Sequence, residues 1–493
     1  MQTIESIQDF KGTYPKQLWS LFFTEMWERF CFYGNRGMLM IFMTDILLFK
    51  EGDANLKYGA IQAFVYAFTF IGGLFADKIL GFQKSLLWGG ALMIMGSTIL
   101  GIDASRFFFY GICLIIVGTG FFKPNISTMV GELYKPGDVR RDAGFSLFYA
   151  GINIGALLGG GLCVYVGKTY SWNFAFLLSG IFMAVGLFNF LLTRKNLGPI
   201  GLSPKVANPG TLPRQQKLVY LGTLLSLPLV YIMITNTAYT DLFMYIIGPL
   251  TLVFLIFEMK KLDAAAIKQL FAALIFIFLS IVFWAFFEQS GGSLSLVARD
   301  LLSNDLSVVK IDPNVVNNSA NSLFVILLST AIGALWIWLK KRNIEPNYYQ
   351  KFGFAFLFLS LAFYIFYALR FSLNSEGMAS LWLFTLAYLI ISIGELFLSP
   401  IGLSLMTKLS PKHLWGIMMG MWFLASAYGQ YFAGILGAGM ASPDEKASLA
   451  TRLDGYTQGY FQLAIYALIT GVVVILASRW LNKLMQTDEV KEA

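Results

Sequence analysis

The sequence predicts an all-α integral membrane protein of fourteen spanning helices, and three observations carry that prediction. Hydrophobic residues make up 57% of the 493-residue chain and charged residues only 13%, against about 25% charged in an ordinary soluble domain. The chain divides into fourteen apolar runs, each near or above the roughly 20 residues that cross a bilayer. Its lysines and arginines gather in alternate loops, as a multi-pass topology requires.

The runs lie at 18–48, 56–77, 84–103, 107–133, 142–166, 172–193, 217–235, 241–259, 266–290, 314–340, 349–370, 379–407, 413–441 and 458–482. An even number of spans places both termini on one side. Loops on that side hold most of the basic residues, among them Lys78, Lys84, Arg140, Arg141, Arg194, Lys195, Lys205, Lys260, Lys261, Lys340, Lys341, Lys351, Lys408 and Lys491. Loops on the other side hold only Lys50, Lys57, Arg106, Lys168, Arg299, Lys310, Arg370, Lys446 and Arg452. The termini are therefore expected in the cytoplasm. Residues 1 to 17 are polar, so the first spanning helix is expected to direct insertion.

After six helices comes a polar link, Asn196 to Gln216, with the turn residues Gly198-Pro199-Ile200-Gly201. The seventh and eighth helices, Val219 to Asn236 and Leu242 to Phe257, are expected to carry no buried charge and read as a lipid-facing pair inserted between two halves. Six more helices follow. The expected organisation is a six-helix bundle over 1–196, a linker with two extra helices over 197–262, and a second six-helix bundle over 263–493. Two such bundles place a site between them. A faint internal echo supports the duplication: Gly118 is followed six residues later by Pro124, and Gly394 by Pro400.

Composition also excludes functions. The net charge of +8 is scattered through short loops, not gathered in a nucleic-acid patch. Cys31, Cys113 and Cys163 all fall in apolar runs and form no disulfide framework or zinc spacing. The single histidine, His413, starts the thirteenth helix at the cytoplasmic side, where a solvated end explains it. No Ser-His-Asp set and no phosphate-binding Walker loop is present, so neither a membrane enzyme nor an ATP-driven pump is expected, and no cofactor. Fourteen helices argue against a seven-helix receptor.

The informative charges lie inside the membrane. In the first run, Glu25, Glu28, Arg29, Tyr33 and Arg36 fall at helical spacing on one stripe. Met26, Trp27, Phe30 and Cys31 occupy the opposite face, free to meet lipid or other helices. Each charge at a helix centre costs about 2.5 to 3.5 kcal/mol on insertion scales. Four unpaired ones would cost on the order of 10 kcal/mol, so the stripe faces protein or a water-filled cavity. A structural ion cluster is one reading; a substrate or proton pathway explains four charges on one helix better.

Other buried polar residues answer this stripe. Lys123 lies in the fourth helix beside Pro124, with Asn125 and Ser127 near it, and Glu395 lies deep in the twelfth. Glu288 ends the ninth helix, as an interfacial cap or as part of the site, and Asn153 sits in a Gly-rich fifth helix as a ligand group or as helix-packing glue. Gly155 and Gly159-Gly160-Gly161 read as close-packing positions. The set is amphoteric. Arg36 and Lys123 can hold a carboxylate, Glu395 an ammonium, and Asn153 and Asn321 can bond peptide N–H and C=O groups. Tyr33, Trp284 and Trp422 supply apolar or cation–π walls. Glu25 and Glu28 can carry protons, since burial favours the neutral carboxyl and a nearby cation the ionised one. A zwitterionic ligand suits this set better than a sugar.

At these residues the chain resembles the proton-dependent oligopeptide transporter (POT) family, a branch of the major facilitator superfamily. Glu25-Met26-Trp27-Glu28-Arg29 matches its ExxER signature. Phe148-Tyr149-Ala150-Gly151-Ile152-Asn153-Ile154-Gly155, Phe122-Lys123-Pro124-Asn125, Phe287-Glu288-Gln289, Gly394-Glu395-Leu396 and Met418-Met419-Gly420-Met421-Trp422 match further motifs. Gly73-Leu74-Phe75-Ala76-Asp77-Lys78 matches a motif shared across the superfamily. The resemblance implies the major facilitator fold and, for the two extra helices, a bacterial member in the plasma membrane. It implies proton-coupled import of di- and tripeptides, with the proton gradient as driving force and a monomer as the unit. Another small solute, such as nitrate or an amino acid-like compound, is the alternative. Residue by residue, it implies proton coupling by Glu25, Glu28 and Arg29 with Lys123, and a peptide carboxylate on Arg36. The peptide amino terminus falls to Glu395, and Tyr33, Tyr66, Asn153, Asn321, Ser399 and Trp422 are pocket positions. Arg36 with Glu288, and Lys123 with Glu395, become gate salt bridges. Three positions depart from the pattern: Gly59 replaces a histidine of some members, Ser322 replaces a proline that would kink the tenth helix, and Gln430 replaces an asparagine.

Overall fold

The computed structural model describes residues 3–135, 137–204, 209–307, 309–399, 402–442 and 447–485. Pro400, Lys205, Lys446 and Lys491 lie outside these. The described residues are helical almost throughout. Eleven of their helices are long and apolar enough to cross a membrane. The chain forms two compact units, one of Met1–Phe49 and Ala60–Thr237, the other of Lys50–Gly59 and Ala238–Ala493.

The first unit opens with a short α1 (Ile4–Gln8) and then α2 (Lys16–Asp45), which bears the charged stripe. Those charges keep α2 out of the apolar set of eleven. Next comes α3 (Glu51–Phe75), whose end widens into a π-helical turn over Ala76–Leu80 and stops at Gly81, where φ is 79°. The third and fourth expected spans form one helix, α4 (Phe82–Glu132), of 51 residues. It breaks at Asp103, whose extended backbone (φ −156°, ψ 93°) separates two arms, each long enough to span. Two more helices follow, α5 (Arg140–Thr169) and α6 (Trp172–Thr193), the latter capped by the Ser171 hydroxyl accepting from the Phe174 N–H.

The first extra helix, α7 (Leu212–Thr235), packs on α4. Tyr231 stacks on Tyr110 with centroids 4.7 Å apart, and Lys84 Nζ donates to Gln216 Oε1 at 2.8 Å.

Glycine lets α2 and α5 touch. A Cβ on Gly155 would stand 2.1 Å from the Met26 carbonyl oxygen, and one on Gly159 2.2 Å from that of Phe30. Small residues at such spacing bring two backbones into contact in a membrane bundle. The face of α2 that carries Met26, Phe30 and Cys31 is thus buried against protein, and Trp27 stacks on Phe182 of α6 at 4.6 Å.

After Lys50–Gly59, the second unit continues from Ala238 along the other extra helix, α8 (Thr237–Met259). Most of its side chains are exposed, as expected of a lipid-facing element. One feature departs from the expected absence of buried charge: half-buried Asp241, just before the uncharged stretch, accepts a 2.7 Å hydrogen bond from the Tyr431 hydroxyl. Tyr428 also donates to the Met244 carbonyl. Then come α9 (Ala264–Phe287), a one-turn 3-10 segment Glu288–Ser290, and α10 (Ser293–Asp300). α11 (Pro313–Lys341) starts with Pro313 after an Asp312 cap and runs unbroken for 29 residues, so Ser322 brings no kink. α12 (Tyr348–Ala368) opens on an Asn347–Gln350 capping box. The expected span 379–407 is divided into α13 (Leu381–Leu398) and α14 (Gly402–Lys408). α15 (Trp415–Met440) and α16 (Leu449–Met485) complete the unit, α16 starting nine residues before its expected run.

The first turns of α3 pack inside this second unit. A Cβ on Gly59 would lie 2.8 Å from Gly434 Cα and 3.0 Å from the Gln430 carbonyl oxygen, so the two helix backbones cross there in direct contact. Beyond it, Glu51 accepts from the Tyr456 hydroxyl at 2.6 Å and pairs with Arg299 at 3.2 Å and with Arg452, which also holds Asp300. Arg299 and Arg452, expected in outer loops, sit instead on α10 and α16 within this half-buried cluster. Lys351 likewise lies in the first turn of α12, buried, paired with Glu345 at 2.6 Å.

Replacing Gly159 with Ala should lower the unfolding midpoint of the purified protein, by overpacking worth about 1–3 kcal/mol. Gly222→Ala on α7, where nothing lies within 4 Å of the added methyl, should leave it unchanged or raise it. Equal midpoints for the two would show that α2 and α5 do not depend on this contact.

Candidate functional site

Each unit holds part of the buried polar set that the sequence singles out. In the first unit α2 holds Glu25, Glu28 and Arg29, which are 2%, 0% and 2% exposed. Arg29 Nε lies 3.2 Å from Glu25 Oε1 and also pairs with Glu28 Oε2. One turn of helix therefore brings a guanidinium against two carboxylates. Glu25 Oε2, Glu28 Oε1 and Arg29 Nη2 are buried and have no hydrogen-bond partner among the described residues. Such unmet capacity on three charged groups is costly in a low-dielectric interior.

Lys123 joins this cluster through aromatic rings. Its Nζ lies 4.4 Å from the Tyr66 ring centroid and 6.0 Å from that of Phe32, and the Arg29 guanidinium lies 5.1 Å from the same Phe32 ring. Two cations thus approach one ring, each favoured by its quadrupole and kept apart by it. Arg36 lies one and a half to two turns further along α2, half-buried, 5.7 Å from the Tyr33 ring. Asn153 is buried on α5 and donates to the Tyr149 carbonyl of its own helix at 3.0 Å. Asn125 is taken up by packing, donating to Ser85 Oγ at 2.8 Å and to the Phe121 carbonyl.

In the second unit Glu395 of α13 is half-buried, and its Oε2 accepts from Asn321 Nδ2 of α11 at 2.8 Å. The same Nδ2 lies 3.0 Å from Ser392 Oγ. Asn321 is thereby an orienting arm for the carboxylate. Ser399 follows one turn after Glu395, to whose carbonyl its N–H donates at 2.9 Å. Glu288 is buried at the start of the 3-10 turn after α9, not an exposed cap. Trp284 is half-buried against Phe287, and Trp422 is buried with its ring on Gly402 of α14. The structure thus gathers Glu25, Glu28, Arg29, Lys123 and Tyr66 in one unit and Glu395, Asn321 and Ser399 in the other. Arg36 and Glu288 belong to different units, as do Lys123 and Glu395.

Some members of the site left no sequence signal. Phe32 reads as one more apolar residue of α2, yet its ring faces both cations. Tyr388, whose hydroxyl donates to Asn317 Oδ1 at 2.6 Å, extends the polar line below Asn321 toward Ser290. Its place follows only from the packing of α13 on α11. Gly59 is explained as well: Gly434 and Gln430 leave no room for an imidazole there without moving backbone.

The family model PTR2, described as the POT family, matches residues 83–453. The chain is 33% identical over 503 residues to the peptide transporter YePEPT of Yersinia enterocolitica subsp. palearctica, covering 97% of this chain and 96% of that protein. It is 28% identical over 489 residues to the dipeptide and tripeptide permease B of Aeromonas hydrophila, covering 97% and 95%. Among solved structures, the crystal structure of a peptide transporter POT in complex with sulfate matches with a TM-score of 0.83 at 30% identity, over 99% of this chain and 100% of that one.

Removing Arg29 should be the most damaging single change in the first cluster. Arg29→Ala leaves two buried carboxylates without their cation, a loss of about 3–5 kcal/mol. The folded, monodisperse yield in detergent should fall sharply, and Glu25→Gln with Glu28→Gln in the same chain should restore it. Full yield for Arg29→Ala alone would mean that the carboxylates do not need the guanidinium.

Proposed function

The chain belongs to the POT family, and from that membership we propose that it imports di- and tripeptides together with protons by alternating access. It is a secondary transporter of a multi-pass membrane family, not an enzyme. The observation that carries the coupling is the Glu25–Glu28–Arg29 cluster, where buried oxygens without protein partners stand beside two cations. A proton placed on Glu25 or Glu28 weakens that carboxylate's hold on Arg29 and changes the local field at Lys123. The proton gradient is the only driving agent, and no cofactor takes part.

In this reading the peptide lies with its carboxylate on Arg36 and Lys123 and its amino terminus on Glu395. Asn321 supports that role by holding the Glu395 carboxylate at 2.8 Å. Tyr33, Tyr66, Asn153, Trp284, Ser399 and Trp422 line the remainder. Arg36 with Glu288, and Lys123 with Glu395, alternate as gate pairs, one charge of each pair in either unit. With no imidazole at position 59, proton coupling rests on carboxyl groups. Fourteen spans are assigned, counting α4 twice and α13 with α14 once. The positive loops support cytoplasmic termini in a bacterial plasma membrane. A single chain carries both parts of this set, which supports a monomer as the transporting unit.

Purified protein in liposomes should take up dialanine when an inward pH gradient is imposed and lose that uptake when the gradient is collapsed. Gradient-driven uptake of another solute, with dialanine ignored, would move the substrate and keep the transporter. Glu395→Gln should lower uptake of peptides with free amino termini roughly tenfold, and unchanged uptake would remove Glu395 from the site. Glu28→Gln should abolish uphill uptake while leaving peptide counterflow; loss of both would indicate a folding defect.

A further inference from the structure

A cavity lies in the first unit, lined by none of the buried charges of α2. It has a volume of about 450 Å³ and sits where α2 begins and α6 ends, within the roughly 300–1,000 Å³ range of small-molecule sites. Its floor is polar and already organised. Asn189 Nδ2 donates to the Ser20 carbonyl at 3.0 Å and to Thr24 Oγ1 at 2.9 Å, and the Ser20 and Thr193 hydroxyls bond each other. Gln17 Nε2 donates to the Asn196 carbonyl at 3.1 Å.

The rim has one sign of charge. Lys16 lines the cavity, and Arg194 and Lys195 stand in the 3-10 turn between two lining residues, Thr193 and Asn196. Among the described residues, no carboxylate pairs with any of these three cations, and no acidic side chain lines the cavity. One wall is aromatic and open: Trp19 and Phe23 line it, and each is 44% exposed. Leu191 and Leu192, also exposed, continue the apolar surface along α6. Aromatic rings at this level mark the boundary between headgroups and acyl chains.

We propose that this cavity binds the head group of an anionic phospholipid from the cytoplasmic leaflet. The phosphate meets Lys16, with Arg194 and Lys195 supplying the surrounding field. The acyl chains lie along Trp19, Phe23 and the leucines of α6. Unpaired cations beside an apolar wall match a ligand that is anionic at one end and apolar at the other, whereas a soluble phosphate would leave the wall unused. Basic pockets between spanning helices on the cytoplasmic side are recognised by such head groups. The choice of leaflet rests on the cytoplasmic placement of the termini given above; the binding itself does not.

Native mass spectrometry of the full-length protein in detergent tests it. The protein is incubated with phosphatidylglycerol, phosphatidylcholine or inorganic phosphate. Wild-type protein should retain phosphatidylglycerol over phosphatidylcholine, and Lys16→Gln should weaken that retention about fivefold, Lys16→Glu more. Lys268→Gln, an exposed lysine of the second unit, should leave it unchanged. Equal retention by wild type and both Lys16 variants would overturn the site. So would equal retention of the zwitterionic lipid, or displacement of phosphatidylglycerol by millimolar inorganic phosphate, which would make the cavity a site for soluble anions. Because the readout is binding, a protein that transports no peptide, or one inserted the other way round, still gives a decisive result.

Discussion

One guanidinium between two carboxylates inside a spanning helix is the constraint to which the first unit answers. Arg29 cannot face lipid, and neither can Glu25 or Glu28. Helix α2 must therefore be enclosed by protein on its charged stripe as well as on its packed face. Glycines on α5 meet that demand by letting the helix backbones touch, which shields the polar atoms without large side chains. The rings of Phe32 and Tyr66 then bring Lys123 into the same neighbourhood. Packing, charge and proton chemistry at this place are one problem with one solution.

Much of this was legible in the sequence, because hydrophobic length and helical spacing are local properties. The stripe on α2, the glycine positions on α5 and the isolated Lys123 and Glu395 all follow from residues near one another in the chain. What local spacing does not carry is partnership. The meeting of Asn321 with Glu395, Phe32 serving two cations, and Tyr388 reaching Asn317 depend on which helices pack together. Boundaries erred where a helix continues through polar residues. Asp103 lies inside α4 as a break between arms, and α16 begins well before its apolar stretch because Arg452 and Tyr456 have partners. The two arginines taken for outer-loop charges are bound residues for the same reason: a count of basic residues cannot tell a free loop from an ion cluster.

Gly59 shows an absence acting as a constraint. Its missing side chain is filled by the Gly434 backbone, so the position is committed to helix contact and closed to titration. Any proton relay in this chain has to be assembled from groups elsewhere, and the family resemblance alone would not reveal why.

The half-buried cluster around Glu51 bears on how the protein is made. Glu51 belongs to an early helix, yet Arg299 and Arg452 follow it by 248 and 401 residues. At about 5–20 residues per second, the last of these partners emerges roughly 20–80 s after Glu51 itself. During that interval the first turns of α3 carry an acidic residue and a bare glycine face with their eventual neighbours not yet synthesised. The second unit can close around its ion cluster only when α16 arrives, so its final packing waits on the last helix described. A nascent chain stalled before Arg452 would present this end of α3 incompletely covered, a feature by which membrane quality control can distinguish it from the finished protein.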